Sequence, residues 1–511
     1  MKKFVIGLAI VLALLVLALR LWQAEWKPQG ETELRFTSVP LPFSHILSKD
    51  SLPFAGAAAF DLTGDGVDEL FLGGGKLQVD RFFRFRDGEF VQMDTLLLKD
   101  PSDATYGAAH LDIDNDGDVD LFAARESGVW LHTNDGRNHF KHEKIYPHMA
   151  DNTVPLSIAL GDVNKDGWVD LYISGYIKNE LVEGTTIFVK PYGGYSQLLL
   201  NDGTNHWTDV TEEAGLLRQH NTFTAVFADL DNDHDSDLVI AQDTGVIEMY
   251  ENTGSFPMKP IPNPSVNSYP MGLAVGDYNN DGLVDIYASN VGHTLPAFML
   301  RGDLAKDAPF NTDYMLLRND GGLKFTDVAR EAGVGRLGFG WGTVFADLDM
   351  DGNLDLLASQ NYARMPLSFL MAKYCGKLLL SNGEGAFTPI GKTSGAEAKG
   401  FGVTPLVADF NNDGWPDIVW VNISGSSQAF MSKGGDEKGT VIRLPNTTEN
   451  LGAIVKTIYN DGKIIKRQVI ATQGLGSDQT RTIFLPGSEA DIRANVIEPQ
   501  KNVPAKELSL K

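Results

Sequence analysis

The chain has 511 residues, with 43 Lys plus Arg against 67 Asp plus Glu and a formal charge of −24. No Lys/Arg-rich face is apparent, which argues against nucleic acid as a partner, and a single cysteine, Cys375, excludes intramolecular disulfides. Fifty-three glycines and few long amphipathic helical patterns favour an all-β chain.

At the N-terminus, Lys2 and Lys3 precede an apolar run from Phe4 to Leu19, then Arg20, Leu21 and Trp22. The run is long for a signal-peptide core and slightly short for a span, and no small-x-small cleavage site follows it. The expectation is an uncleaved transmembrane anchor over residues 1–26, meeting the membrane through residues 4–22. The rest of the chain then lies in the cell envelope on the extracytoplasmic side, periplasmic or extracellular. Glu33 to Phe43, ELRFTSVPLPF, looks like the tail of the later repeats, HWTDV at His206 and KFTDV at Lys324. It is expected to give an outer strand to the last repeat, which removes two open sheet edges.

Seven segments then follow a D-x-D/N-x-D-G-x-x-D pattern and lead at once into a β-rich apolar run. They begin at Asp61, Asp112, Asp162, Asp229, Asp277, Asp347 and Asp409, at separations of 51, 50, 67, 48, 70 and 62 residues. That is the period of a propeller blade with variable insertions. Oxygen-bearing side chains at positions 1, 3, 5 and 9, with the position-7 carbonyl free, make a small cage of hard oxygens suited to Ca2+. Glycine at position 6 permits the turn at φ > 0. A strand follows each loop, so each loop is expected in a β-hairpin.

The predicted ligands are Asp112, Asp114, Asp116 and Asp120 in the second copy, and Asp162, Asn164, Asp166 and Asp170 in the third. The fifth offers Asp277, Asn279, Asp281 and Asp285; the sixth Asp347, Asp349, Asp351 and Asp355; the seventh Asp409, Asn411, Asp413 and Asp417. Two copies depart from the pattern. The first has Asp61 and Asp65 but Thr63 and Glu69 at positions 3 and 9; the fourth keeps Asp229, Asp231, Asp233 and Asp237 but has His234 in place of glycine. These positions hold 24 carboxylates, so seven Ca2+ would bring the formal charge to about −10 and much of the acidity is metal-directed.

Between position 9 and the next N-x-G turn the chain takes about 31, 34 and 27 residues in the third, fifth and sixth copies, against about 14 to 18 elsewhere. Insertions at one equivalent point emerge on one face of a ring, a candidate recognition surface. They carry Tyr176, Tyr192, Tyr195, Phe298, Arg301, Tyr362, Arg364 and Tyr374, side chains suited to a protein partner or to stacking on sugar rings. Arg301-Gly302-Asp303 spells a recognition tripeptide, and His132, His139, His142 and His148 lie within 17 residues; each is a weak pattern by itself.

From Gly439 the chain reads as a small β module with a hairpin turn at Asn460-Asp461-Gly462. The expected organisation is an anchor over 1–26, a seven-bladed β-propeller over 31–435, the β module over 439–500 and a flexible tail over 501–511.

The loops and lead-ins AVFADLDNDHD, ALGDVNKDG and AVGDYNNDG resemble the FG-GAP (VCBS-type) repeats of integrin α-subunit propellers and of many bacterial secreted proteins. A second element, LLLNDGTNHWTDVTEEAGL from Leu198 and LLRNDGGLKFTDVAREAGV from Leu316, resembles the cartilage acidic protein family. That family joins an FG-GAP propeller to a C-terminal ASPIC and UnbV domain. NLGAIVKTIYNDGK and QGLGSDQ resemble stretches of this domain, although the order G-L-G-S-D-Q differs and its tryptophan-proline strand is absent. No catalytic signature such as H-E-x-x-H or G-x-S-x-G is present. The functional expectation is a membrane-anchored, calcium-binding propeller that binds an envelope protein through the insertion face. The alternative is a lectin or polysaccharide lyase using the same face.

Overall fold

The computed structural model describes residues 13, 14, 16–18, 29–94, 102–137, 139–146, 149–183, 186–292, 294–361, 374–435, 439–500 and 505–508. Most of the expected anchor, with Tyr362, Arg364 and His148, lies outside them. Among the described residues no helix is long and apolar enough to cross a membrane.

The fold is all-β. Each Asp loop joins the first and second strands of its own sheet, and position 9 is the first residue of every second strand, from Glu69–Leu72 through Asp120–Arg125 to Asp417–Asn422. The first strands are Ala57–Phe60, Thr105–Leu111, Thr153–Gly161, Thr222–Ala228, Leu273–Gly276, Gly340–Ala346 and Gly402–Ala408. Each touches the next in chain order, and the last returns to the first, so these strands form a closed cycle. They are apolar on both faces because each is sandwiched between two sheets. Phe60, Phe71 and Phe82 of the first sheet pack on Ala108 and Leu121 of the second; Leu70 and Phe83 share a core with Leu406 and Val419 of the seventh. This is a β-propeller.

The N-terminal segment closes the ring as its sequence suggests. Phe36–Val39 pairs antiparallel with Gln428–Ser432 as the outermost strand of the sheet that carries the Asp409 loop. Ser44–His45 adds a second short ladder to Gly425–Ser426.

The C-terminal segment forms two sheets of its own. The turn at Asn460-Asp461-Gly462 joins Ile454–Tyr459 to Ile464–Gln468, with Gly462 at φ +93°. Within the tail expected over 501–511, Lys506–Leu508 pairs as an edge strand on Ile492–Glu498 and covers a strand edge that would otherwise be open.

This segment also enters the axis of the ring. Ser477–Asp478 pairs in parallel with Ala57–Ala58. The Gly476 carbonyl accepts from Ala57 and Ala108 N–H, both at 3.2 Å; Gln473 Oε1 accepts from Val275 N–H and Gln479 Oε1 from Val407 N–H, both at 3.0 Å. First-strand amides facing a central channel have no ladder partner, and buried ones need one. QGLGSDQ therefore satisfies four of the seven sheets.

At the opposite mouth Phe54 meets the rings of Tyr106, Tyr176, Phe223 and Trp341 at 5.7–6.2 Å between centroids, mostly edge-on. Both ends of the axis are thus filled.

Candidate metal centres and insertion face

In each loop the position-1 carboxylate takes the N–H of position 6: Asp112 from Gly117 at 3.1 Å, Asp229 from His234 at 2.9 Å, Asp347 from Gly352 at 2.9 Å. Position 6 has positive φ in every copy, including His234 at +67°. Position 4 does too, in Asn115, Lys165, Asn232, Asn280, Met350 and Asn412. That requirement escaped the sequence reading, although the recurring asparagine, tolerant of the left-handed region, was its signal.

Position 9 is a clamp as well as a candidate ligand. Asp120 takes Ile113 N–H on one oxygen at 2.9 Å and Asn134 N–H, from the third strand, on the other at 2.7 Å. Asp170, Asp237, Asp285, Asp355 and Asp417 take the equivalent pairs. Burial pushes these carboxyls up, to about 7 for Asp120 and about 8 for Asp170, Asp237 and Asp285. A nearby cation would favour the ionised form of these groups.

Three loops bring carboxylate oxygens within 4.8 Å of one another: Asp112, Asp114 and Asp120; Asp229, Asp231 and Asp237; Asp347, Asp349 and Asp351. These are the copies with Asp at position 3. Asp231 Oδ1 and Asp349 Oδ1 are buried without a hydrogen-bond donor, an arrangement costly by itself and satisfied by a hard divalent cation. The donor set fits such an ion.

In the copies with Asn at position 3 the side chains pair differently. Asn164, Asn279 and Asn411 donate Nδ2–H to Asp166, Asp281 and Asp413 at 2.8–2.9 Å. Rotation of the amide would present its oxygen to an ion. In the first copy Thr63, Asp65 and Glu69 face the guanidinium of Arg84, a contact the loop sequence could not reveal.

Against these repeats stand the comparisons. A family model described as FG-GAP-like repeat matches residues 112–173, 229–288 and 374–420. The chain carries FG-GAP-like repeats. No curated protein matches it. Among solved structures, an Agrocybe aegerita lectin recognising non-reducing terminal N-acetylglucosamine is 16% identical, with 76% of this chain and 92% of that one covered and a TM-score of 0.38. YCF48 bound to D1 peptide is 11% identical, with 80% and 99% covered at 0.43. BBS1N in complex with ARL6DN is 10% identical, with 78% and 97% covered at 0.44. At such scores the likeness says nothing of function.

The insertions leave from the ends of second strands, opposite the FG-GAP-like loops. Several expected contact residues are used internally. Tyr176 packs on Phe54 and Phe223 and donates its hydroxyl to Asp243 at 2.8 Å; Tyr192 Oη accepts Glu183 N–H at 2.7 Å; Tyr195 is half-buried and Tyr374 buried. Arg301 donates to the Ala305 and Ala308 carbonyls at 2.6 Å and lies over the Phe310 ring, while Asp303 accepts Phe188 and Val189 N–H. The Arg-Gly-Asp tripeptide thus holds two insertions together. Phe298 remains, 78% exposed, beside Met299 at 59%; Val189 of the neighbouring insertion is 67% exposed. His132 and His142 approach at 2.9 Å between Nδ1 atoms, and His139 turns instead to Asp135, so these three described histidines do not converge.

Proposed function

We propose that this protein is a seven-bladed, calcium-binding propeller of the cell envelope, anchored by its N-terminal segment, that binds a protein partner through the insertion face. The segment from Gly439 acts in this reading as an ASPIC/UnbV-like module fixed over the loop face.

The observation that carries the reading is the exposure of the apolar side chains Phe298, Met299, Val189, Leu181 and Val182 on two insertions. These insertions are held by Asp303 and by the packing of Phe188 on Tyr269 and Phe310. Apolar side chains exposed on an ordered support are the usual anchors of a protein interface. The lectin or lyase alternative needs an aromatic floor for sugar rings. Burial of Tyr374 and engagement of Tyr176 remove two members of it.

The test is crosslinking of the full chain in envelope preparations, beside Phe298→Glu and Met299→Glu. The proposal expects one discrete protein adduct in the wild type that both variants lose. Retention of glycan instead, unaffected by these changes, would establish the carbohydrate reading.

A further inference from the structure

The first loop departs from the other six at two ligand positions, 3 and 9, and one side chain accounts for both. Arg84 stands on the third strand of its sheet, Arg81–Arg86, across from Glu69 in the register that pairs Leu70 with Phe83. Its Nε donates to Glu69 Oε1 at 2.7 Å, and its Nη2 donates to Thr63 Oγ1 at 2.9 Å and to the Asp65 carboxylate. Those are positions 9, 3 and 5, the side chains that face the ion position elsewhere. Asp61, at position 1, takes the N–H groups of Asp65 and Gly66.

Each substitution suits a guanidinium better than a divalent ion. Glutamate at position 9 is one methylene longer than aspartate and reaches the facing strand. Threonine offers a neutral acceptor where a third carboxylate would leave excess charge. A planar, permanently charged fork can serve three acceptors at once.

At the same register place the other sheets carry Thr133, Leu200, Glu251, Arg318, Leu380 and Met431. Arg318, the one other cation, turns outward to Asp320 at 2.8 Å.

We propose that Arg84 is the cation of the first repeat, occupying permanently the place a calcium ion takes in the others. The inference rests on the reading of those other loops as calcium sites. The chain then holds at most six ions. Its first sheet, which receives Ser477–Asp478 from the axial segment, keeps its loop when calcium is withdrawn.

The experiment counts calcium per chain by atomic emission after equilibrium dialysis, for the full chain and for Asp65→Asn and Asp116→Asn. The expected result is at most six ions in the wild type, the same number in Asp65→Asn, and one fewer in Asp116→Asn. Loss of one ion in Asp65→Asn overturns the inference and leaves the calcium reading standing; a wild type without calcium overturns both. Lanthanide-soaked crystals check the same point without a variant. Anomalous peaks in the other loops with none among Thr63, Asp65 and Glu69 support it, and a peak there overturns it.

Discussion

Arg467 links two Asp loops from outside the propeller: its guanidinium donates to Asn280 Oδ1 at 3.2 Å in the fifth and to the Gly352 carbonyl at 2.9 Å in the sixth. Other parts of the C-terminal segment meet the same face. Arg443 pairs with Asp409 at 2.7 Å, Asp112 N–H donates to the Asn446 carbonyl at 2.7 Å, and Ser236 donates to Gln500 at 2.7 Å. The segment therefore rests on the very loops that would hold metal, and withdrawing the ions should loosen it. In a chelator, limited proteolysis should cut first between residues 439 and 508, and calcium should restore protection. Equal cleavage in both conditions would contradict the coupling.

Chelation should also lower global stability. A ligand held at about 100-fold above its dissociation constant adds roughly 2.7 kcal/mol per site, so several sites sum to a clear fall in the melting temperature. Asp351→Ala and Asp116→Ala should each reproduce part of that fall. Scanning calorimetry with and without calcium checks it.

The pH dependence has a definite sign. Asp170, Asp237 and Asp285 are pushed up to about 8 by burial, against about 3.9 for an unfolded aspartate. A group whose folded value is raised contributes stability that is full below the unfolded value and lost as pH rises through the folded one. In chelator, denaturant unfolding should show stability declining from about pH 4 to about pH 8. With calcium present the carboxylates are held ionised, and the decline should flatten or reverse.

Asp478 gives the opposite case. Burial alone would raise it, but Arg481 at 2.7 Å and His110, Nδ1 at 2.8 Å, outweigh burial and hold the carboxyl well below its usual range. Its contribution is present above the unfolded value and is lost in strong acid. Asp478→Asn leaves the Arg481 charge buried and should cost about 3–5 kcal/mol, measured by urea unfolding at neutral pH.

Phe54→Ala should cost about 3–5 kcal/mol, because it empties the centre of an aromatic cluster fed by five sheets or their leads. Asp303→Ala should act locally instead: faster amide exchange at Phe188 and Val189, with the melting temperature nearly unchanged.

Much of this protein was legible in the chain. Seven Asp loops at blade-like spacing, glycine or histidine at position 6, and the ring-closing segment at Phe36–Val39 are local or periodic signals. They survive in one dimension because a repeat must state its own turn chemistry each time. Tertiary structure decided what depends on register and on contacts distant along the chain. Arg84 faces Glu69 only because two strands pair in one register; QGLGSDQ fills the axis only because first-strand amides there need partners. The Arg301-Gly302-Asp303 tripeptide is spent within the fold because two insertions meet. Side chains as far apart as His110 and Asp478, 368 residues, share an environment through the tertiary fold, and no local pattern encodes which of them will meet.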